Sequence, residues 1–324
     1  MDKVLVLVIH NTICIMDYCN DFKEEVMSHH ELSQDDLHKK VLYPVTRVRS
    51  TKAGGSGVLI YSKEDPDNPG EFINLVLTCE HVIADAVSVK SEWDSLVKRE
   101  VKKDIMEEVS VEVFDYIGSK IASANSTQAE ILAYDKNHDL AVVKLLNRKP
   151  LDYIAEIYSE DEIDDLRLFD TVWTSGCSLL HDPFANPGTL TYLREIIEQK
   201  SYLMYNASSI FGNSGGGVFH GGAGKLLGLA SRITNIQLGF GIDVMTWMGF
   251  GTHPERLYEF FEHQELQFLY DDDDNYYDAM ERRTEKQKES LRHLFIEDKG
   301  VDKVPEPESP PGGKRHDKDG KYTN

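Results

Sequence analysis

A chain of 324 residues, 40% of them hydrophobic, is long enough to bury one large core or two ordinary ones. Its 35 lysines and arginines stand against 56 aspartates and glutamates, a formal charge of −21. That balance excludes nucleic acid and anionic membrane as partners, since both need basic side chains to neutralise phosphate. The four cysteines, Cys14, Cys19, Cys79 and Cys177, are too few and too scattered for a disulfide scaffold and read as free thiols.

The apolar run Val4-Leu5-Val6-Leu7-Val8-Ile9 is broken by His10-Asn11 and followed by Cys14-Ile15-Met16-Asp17 without a small-residue cleavage site. It reads as a strand or helix rather than a leader, and argues for a cytoplasmic chain over an exported one. No stretch approaches the roughly 20 apolar residues that span a bilayer. Ser33-Gln34-Asp35-Asp36 is a helix N-cap with acid in the first turn, so an N-terminal extension with a short helix is expected over 1–40.

From Val41 the texture changes to short β-branched and apolar runs bounded by Gly, Asn and Pro. Six strands are expected at 45–48, 57–61, 73–78, 109–114, 131–133 and 140–145, enough to close one barrel over about 41–150. Between Val89 and Glu108 charge is dense and the apolar positions fall at helical spacing, which predicts a helical insertion. An acidic connection over 146–170 precedes six more strand candidates, at 171–177, 188–193, 201–206, 217–220, 226–234 and 241–244, a second barrel over about 170–250. Pro254 opens an expected helix, as proline is favoured in a first turn, and a second helix is expected within 276–296. The Pro-, Gly- and charge-rich segment 297–324 is expected to be disordered.

Three motifs carry chemistry: Leu77-Thr78-Cys79-Glu80-His81-Val82, then His138-Asp139-Leu140-Ala141-Val142-Val143, then Phe211-Gly212-Asn213-Ser214-Gly215-Gly216. A serine hydroxyl is a poor nucleophile until a neighbouring imidazole takes its proton, and that imidazole must be held in one tautomer by a carboxylate. His81, Asp139 and Ser214 supply these three roles. Asp135 and His138 are close decoys, but only Asp139 abuts the apolar run that can bury a carboxylate. The glycines around Ser214 let the amides of Gly212 and Ser214 face a developing oxyanion.

The order His, Asp, Ser separates this constellation from those reached by unrelated folds. With Gly55-Ser56-Gly57-Val58-Leu59-Ile60, Asp139 to Leu145, Gly212 to Gly216, Gly224-Lys225-Leu226-Leu227-Gly228-Leu229 and Gly239-Phe240-Gly241-Ile242, the chain resembles a trypsin-like serine peptidase of the HtrA/Deg branch, over about 41–248. The resemblance implies an all-β fold of two six-stranded antiparallel barrels and a serine endopeptidase acting on a protein or peptide substrate through an acyl-enzyme. It implies no cofactor and no metal, admits a homo-oligomer, and shows no recognisable PDZ module. The alternative is a silent or latent trypsin-fold module that binds a partner peptide.

By the same resemblance a primary specificity pocket draws on Ser208, Ser209 and Phe211, with Ser231 and Arg232 beside it. Ser208 is not the acid that a preference for basic residues requires, so a small or medium apolar residue is expected before the scissile bond. Arg232 and Asp243 are left open as partners of each other or of substrate. His29-His30-Glu31 and Asp271 to Asp274 offer ligand types without the spacing of a zinc or EF-hand site.

Overall fold

The computed structural model describes residues 6–9, 12–15, 32–94, 99–238 and 241–297. Strands β1 (Val6–Ile9) and β2 (Thr12–Ile15) pair as a small antiparallel ribbon. Ser33 caps the following helical turn α1 (Gln34–Asp36), its hydroxyl accepting from the Asp36 amide at 3.1 Å, and a π-helical turn, Leu37–Leu42, carries the chain into the first barrel.

That barrel uses β3 (Val45–Arg49), β4 (Gly54–Glu64), β5 (Phe72–Thr78), β8 (Val109–Ile117), β9 (Lys120–Asp135) and β10 (Leu140–Leu145), closed in the order β10-β5-β4-β3-β8-β9. The intervening β6 (Val87–Asp94) and β7 (Arg99–Met106) form a separate two-stranded ribbon. The expected helical insertion is therefore a β-hairpin, with Val87 opposite Met106 and Asp94 opposite Arg99. Its local pattern, Val87-Ser88-Val89, alternates with the period of two that a strand needs, and a β-branched pair favours that state.

The second barrel closes β11 (Thr171–Gly176), β12 (Phe184–Ile197), β13 (Lys200–Tyr205), β16 (Gly241–Thr252), β15 (Leu226–Leu238) and β14 (Gly217–His220) in that ring order. Each of the twelve expected barrel strands overlaps one observed strand. Val45, Val48, Val58, Leu75, Leu77, Val109, Val111 and Val142 are fully buried in the first barrel, as inward positions of a small closed sheet must be. Val172, Leu190, Leu203, Val218 and Leu227 fill the second.

Helix α3 (Pro254–His263) starts with its proline in the first turn and is capped by His253, whose Nδ1 accepts from the Glu255 amide. Burial pushes His253 down to about 4, so near neutrality the ring is uncharged and free to accept. Leu257, Phe260 and Phe261 belong to the same core cluster as first-barrel residues and as Phe219 and Leu229 of the second, so α3 seals the seam between barrels. Helix α4 (Tyr276–Glu297) returns to the first barrel, where Lys144 donates to the Tyr276 hydroxyl at 3.1 Å and Arg283 to the Leu132 carbonyl at 2.8 Å. Among the described residues no helix is long and apolar enough to cross a membrane. The expected disordered tail, 297–324, lies almost wholly outside the described residues, as do His29, His30 and Glu31.

Candidate active site

Strand register brings the first two motifs together. Thr78 pairs with Ala141 across β5 and β10, so antiparallel geometry sets residues just after Thr78 beside residues just before Ala141. His81 and Asp139, 58 positions apart in sequence, thereby share one barrel end. The chain leaves β5 at Cys79 and turns into α2 (Glu80–Ile83), whose Val82 and Ile83 point inward while the His81 side chain remains 43% exposed.

Asp139 sits at φ +54°, a left-handed conformation that aspartate tolerates because its short side chain bonds locally. The turn before it is held by Asp135, whose carboxylate accepts from the amides of Asn137 at 2.6 Å and His138 at 3.1 Å. His138 lies with its ring nitrogens 3.4 Å from Asp135 and 3.6 Å from Glu259. Both decoys thus serve the turn, and Asp139 alone reaches His81.

Oδ1 of Asp139 accepts from His81 Nδ1 at 2.8 Å and from the His81 amide at 3.1 Å, and Oδ2 accepts from the Ser231 hydroxyl at 2.7 Å. Burial pushes the Asp139 carboxyl up, but the His81 and Ser231 hydrogen bonds and the imidazole charge outweigh it and hold the group below its ordinary value. An ionised carboxylate needs the proton on Nδ1, which leaves Nε2 as the acceptor.

Ser231, expected beside the specificity pocket, commits its hydroxyl to the Asp139 carboxylate. Ser231→Ala is expected to cost about 1.5 kcal/mol of support for that ion, the range of a hydrogen bond to a charged group. Read as rate this is about a tenfold fall in kcat with KM nearly unchanged, checked by steady-state kinetics on a peptide substrate.

The third motif is a tight loop between β13 and β14. Gly212 lies at φ +93°, and a Cβ there would stand 2.5 Å from the Leu179 amide nitrogen and 2.7 Å from the Cys177 carbonyl. Leu179 N donates to the Phe211 carbonyl at 2.7 Å. The Phe211–Gly212 peptide is trans, so fixing that carbonyl on one side turns the Gly212 N–H to the other. Among the described residues the amides of Gly212 and Ser214 and the Ser214 hydroxyl have no hydrogen-bond partner, leaving two donors and a half-buried hydroxyl open.

The loop is pinned to the first barrel. The Ser56 amide donates to the Ser214 carbonyl at 2.8 Å, and the Ser56 hydroxyl to the Gly212 carbonyl at 2.7 Å. Gly55 separates the Ser214 carbonyl from Val82, the residue after His81: a Cβ at Gly55 would lie 2.6 Å from that carbonyl and 2.8 Å from Val82 Cγ2. Gly215, at φ +84°, leaves 2.2 Å between such a Cβ and the Ser56 carbonyl, so neither backbone can yield. Gly215→Ala is expected to lower stability by about 2 kcal/mol or more, read as a fall in the urea midpoint.

The remaining pocket candidates divide. Ser208 is exposed, with its carbonyl accepting from Asn186 Nδ2 at 3.1 Å, whereas Ser209 is buried and its hydroxyl accepts from Asn213 Nδ2 at 3.3 Å. Phe211 is exposed. Arg232 pairs with Glu198 and lies 5.5 Å over the Tyr202 ring, so its charge is answered by Glu198 and not by Asp243, which stands opposite Ile236.

Among the described residues one grouping offers three metal-ligand types, Cys79, His81 and Asp139. Its donors are already committed: burial raises the Cys79 thiol, which stays protonated and donates to the Ala230 carbonyl at 3.6 Å. Asp274 is paired with Arg282. A residue the sequence did not disclose is Arg256 of α3, buried, which donates to the Ser201 carbonyl at 3.0 Å and to the His138 carbonyl, tying α3 to the turn that presents Asp139.

Two six-stranded barrels with these motifs at their seam define a two-barrel peptidase architecture, and the comparisons agree. Residues 55–229 match the trypsin-like peptidase domain family, more than half of the chain. The chain belongs to that family. In structure it is similar to the HtrA-type protease AlgW with a tripeptide, at TM-score 0.51 and 18% identity, covering 73% of this chain and 64% of AlgW, and equally to a variant of AlgW with a tripeptide. The match thus spans less than two-thirds of the AlgW chain. Deg5 is similar at TM-score 0.47 and 18% identity, covering 69% of this chain and 90% of Deg5. No curated protein matches the chain in sequence.

Proposed function

We propose that the chain is a serine endopeptidase of the HtrA-like branch, hydrolysing peptide bonds in protein or peptide substrates through an acyl-enzyme. The observation that carries this reading is the hydrogen-bonded pair of His81 Nδ1 and Asp139 at 2.8 Å, beside a glycine loop with two open amides. Ser214 Oγ attacks the scissile carbonyl while His81 Nε2 takes its proton. The carbonyl oxygen, now negative, is received by the amides of Gly212 and Ser214. As the tetrahedral species collapses, the C–N bond breaks and His81 returns the proton to the leaving amine. Water then repeats the sequence on the ester, restoring Ser214.

One observation favours a latent form of the same enzyme: among the described residues the Ser214 hydroxyl has no hydrogen-bond partner. In this form the Ser214–His81 contact tightens when substrate fills the cleft, as catalytic contacts often do. The test is digestion of an unfolded protein by the full chain, with Ser214→Ala as control. Fragments that appear only with Ser214 support the reading, and an undigested substrate in the presence of folded protein contradicts it.

A further inference from the structure

The turn Ser178–Leu180 combines two features that each cost free energy. Leu179 and Leu180 stand consecutively at φ +51° and +60°, a region that a side chain with a Cβ enters at roughly 1–2 kcal/mol each. Both display apolar surface, Leu179 at 61% exposure, alongside exposed Phe184 and Phe211. Backbone strain next to a reactive loop is retained when surrounding contacts enforce it. Here Leu179 N holds the Phe211 carbonyl, Leu180 N donates to the Cys177 carbonyl at 2.9 Å, and Arg47 Nη1 donates to the Leu180 carbonyl at 2.8 Å. Arg47 is itself fixed by Glu112 and by the Phe114 ring 5.3 Å away.

The cluster has a definite side relative to the chemistry. The Leu180 side chain covers Gly54, where a Cβ would stand 2.8 Å from Leu180 Cδ2, and the next residue, Gly55, packs on Val82 beside His81. Leu180 is thus on the His81 flank of Ser214. The base returns its proton to the leaving amine on that flank, whereas Ser231, on β15, lies behind Asp139. The apolar cluster therefore borders the leaving half of the substrate.

We infer that Leu179 and Leu180, with Phe184 and Phe211, select substrates carrying an apolar side chain at the first or second residue after the scissile bond. The inference rests on the peptidase reading and adds to it a substrate class. Positioning and recognition are joined in one turn: the Leu179 amide orients the oxyanion donor while the side chains receive the leaving segment.

The test digests a mixed-sequence peptide library to low conversion with the full chain and reads the new termini by mass spectrometry. Leu, Ile, Phe and Met are expected at those two positions about tenfold more often than Lys and Glu, the range over which apolar pockets discriminate. In Leu179→Asn and Leu180→Asn the enrichment is expected to fall several-fold toward unity. Asparagine accepts the left-handed conformation, so the urea midpoint is expected to stay at or above that of the unaltered chain. Ser214-dependent cleavage without apolar enrichment overturns the inference and leaves the peptidase reading standing. Enrichment that survives both substitutions, with a lowered midpoint, also overturns it and assigns the leucines to the fold. Absence of Ser214-dependent cleavage across the library overturns the peptidase reading and the inference together.

Discussion

Ser214→Ala is expected to lower the turnover of a peptide substrate by about 10⁶-fold, because the nucleophile and its base act as a unit and loss of the nucleophile removes nearly the whole covalent pathway. The fold should not notice. The Ser214 hydroxyl is half-exposed and unbonded, and the loop is held through the Ser214 carbonyl and the Gly215 and Gly216 amides, all of which alanine leaves in place. The stability change is expected within about 0.5 kcal/mol. Single-turnover kinetics beside urea denaturation separates a lost reaction from a lost structure. A variant that retains a tenth of the activity would remove Ser214 from the mechanism.

Asp139→Asn is expected to lower turnover by about 10⁴-fold through the tautomer of His81. The Asp139 carboxylate accepts from Nδ1, from the His81 amide and from Ser231 at once. A carboxamide has one acceptor oxygen for those three donors; when its NH₂ faces the ring, Nδ1 must accept, the proton moves to Nε2, and the base is lost. The same substitution carries a stability signature. The carboxyl of Asp139 is held below its ordinary value in the folded chain, so its ionised form stabilises the fold above the ordinary carboxylate range, and that contribution is lost as pH falls through the depressed value. The urea midpoints of the unaltered chain and Asp139→Asn should therefore lie farthest apart near neutrality and converge on acidification below about pH 4.

Much of this was legible in the sequence because the signals were local. Alternating and continuous β-branched runs located the barrel strands, and the motifs around His81 and Asp139 marked two residues that the fold brings within hydrogen-bond distance. The hairpin at β6 and β7 was misread because charged residues diluted a short alternation, and periodicity over so few apolar positions does not separate helix from strand.

The bond from Ser231 to Asp139 and the role of Arg256 were not legible for another reason. Their partners, Asp139 and the His138 carbonyl, are 92 and 118 residues away, and closure of the second barrel with α3 across the seam determines those contacts. No residue-level signal announces left-handed leucines either, since leucine has no preference for positive φ. Such positions are imposed by the packing around Cys177, Arg47 and Phe211, and only the folded chain displays them.

A fluorophosphonate probe, which phosphonylates a serine only when a base has made it nucleophilic, reads the central claim directly. Stoichiometric modification at Ser214 is predicted, promoted by a peptide substrate and abolished in His81→Ala. Folded protein that resists the probe even with peptide supplied, or that is modified at another residue, would contradict the account.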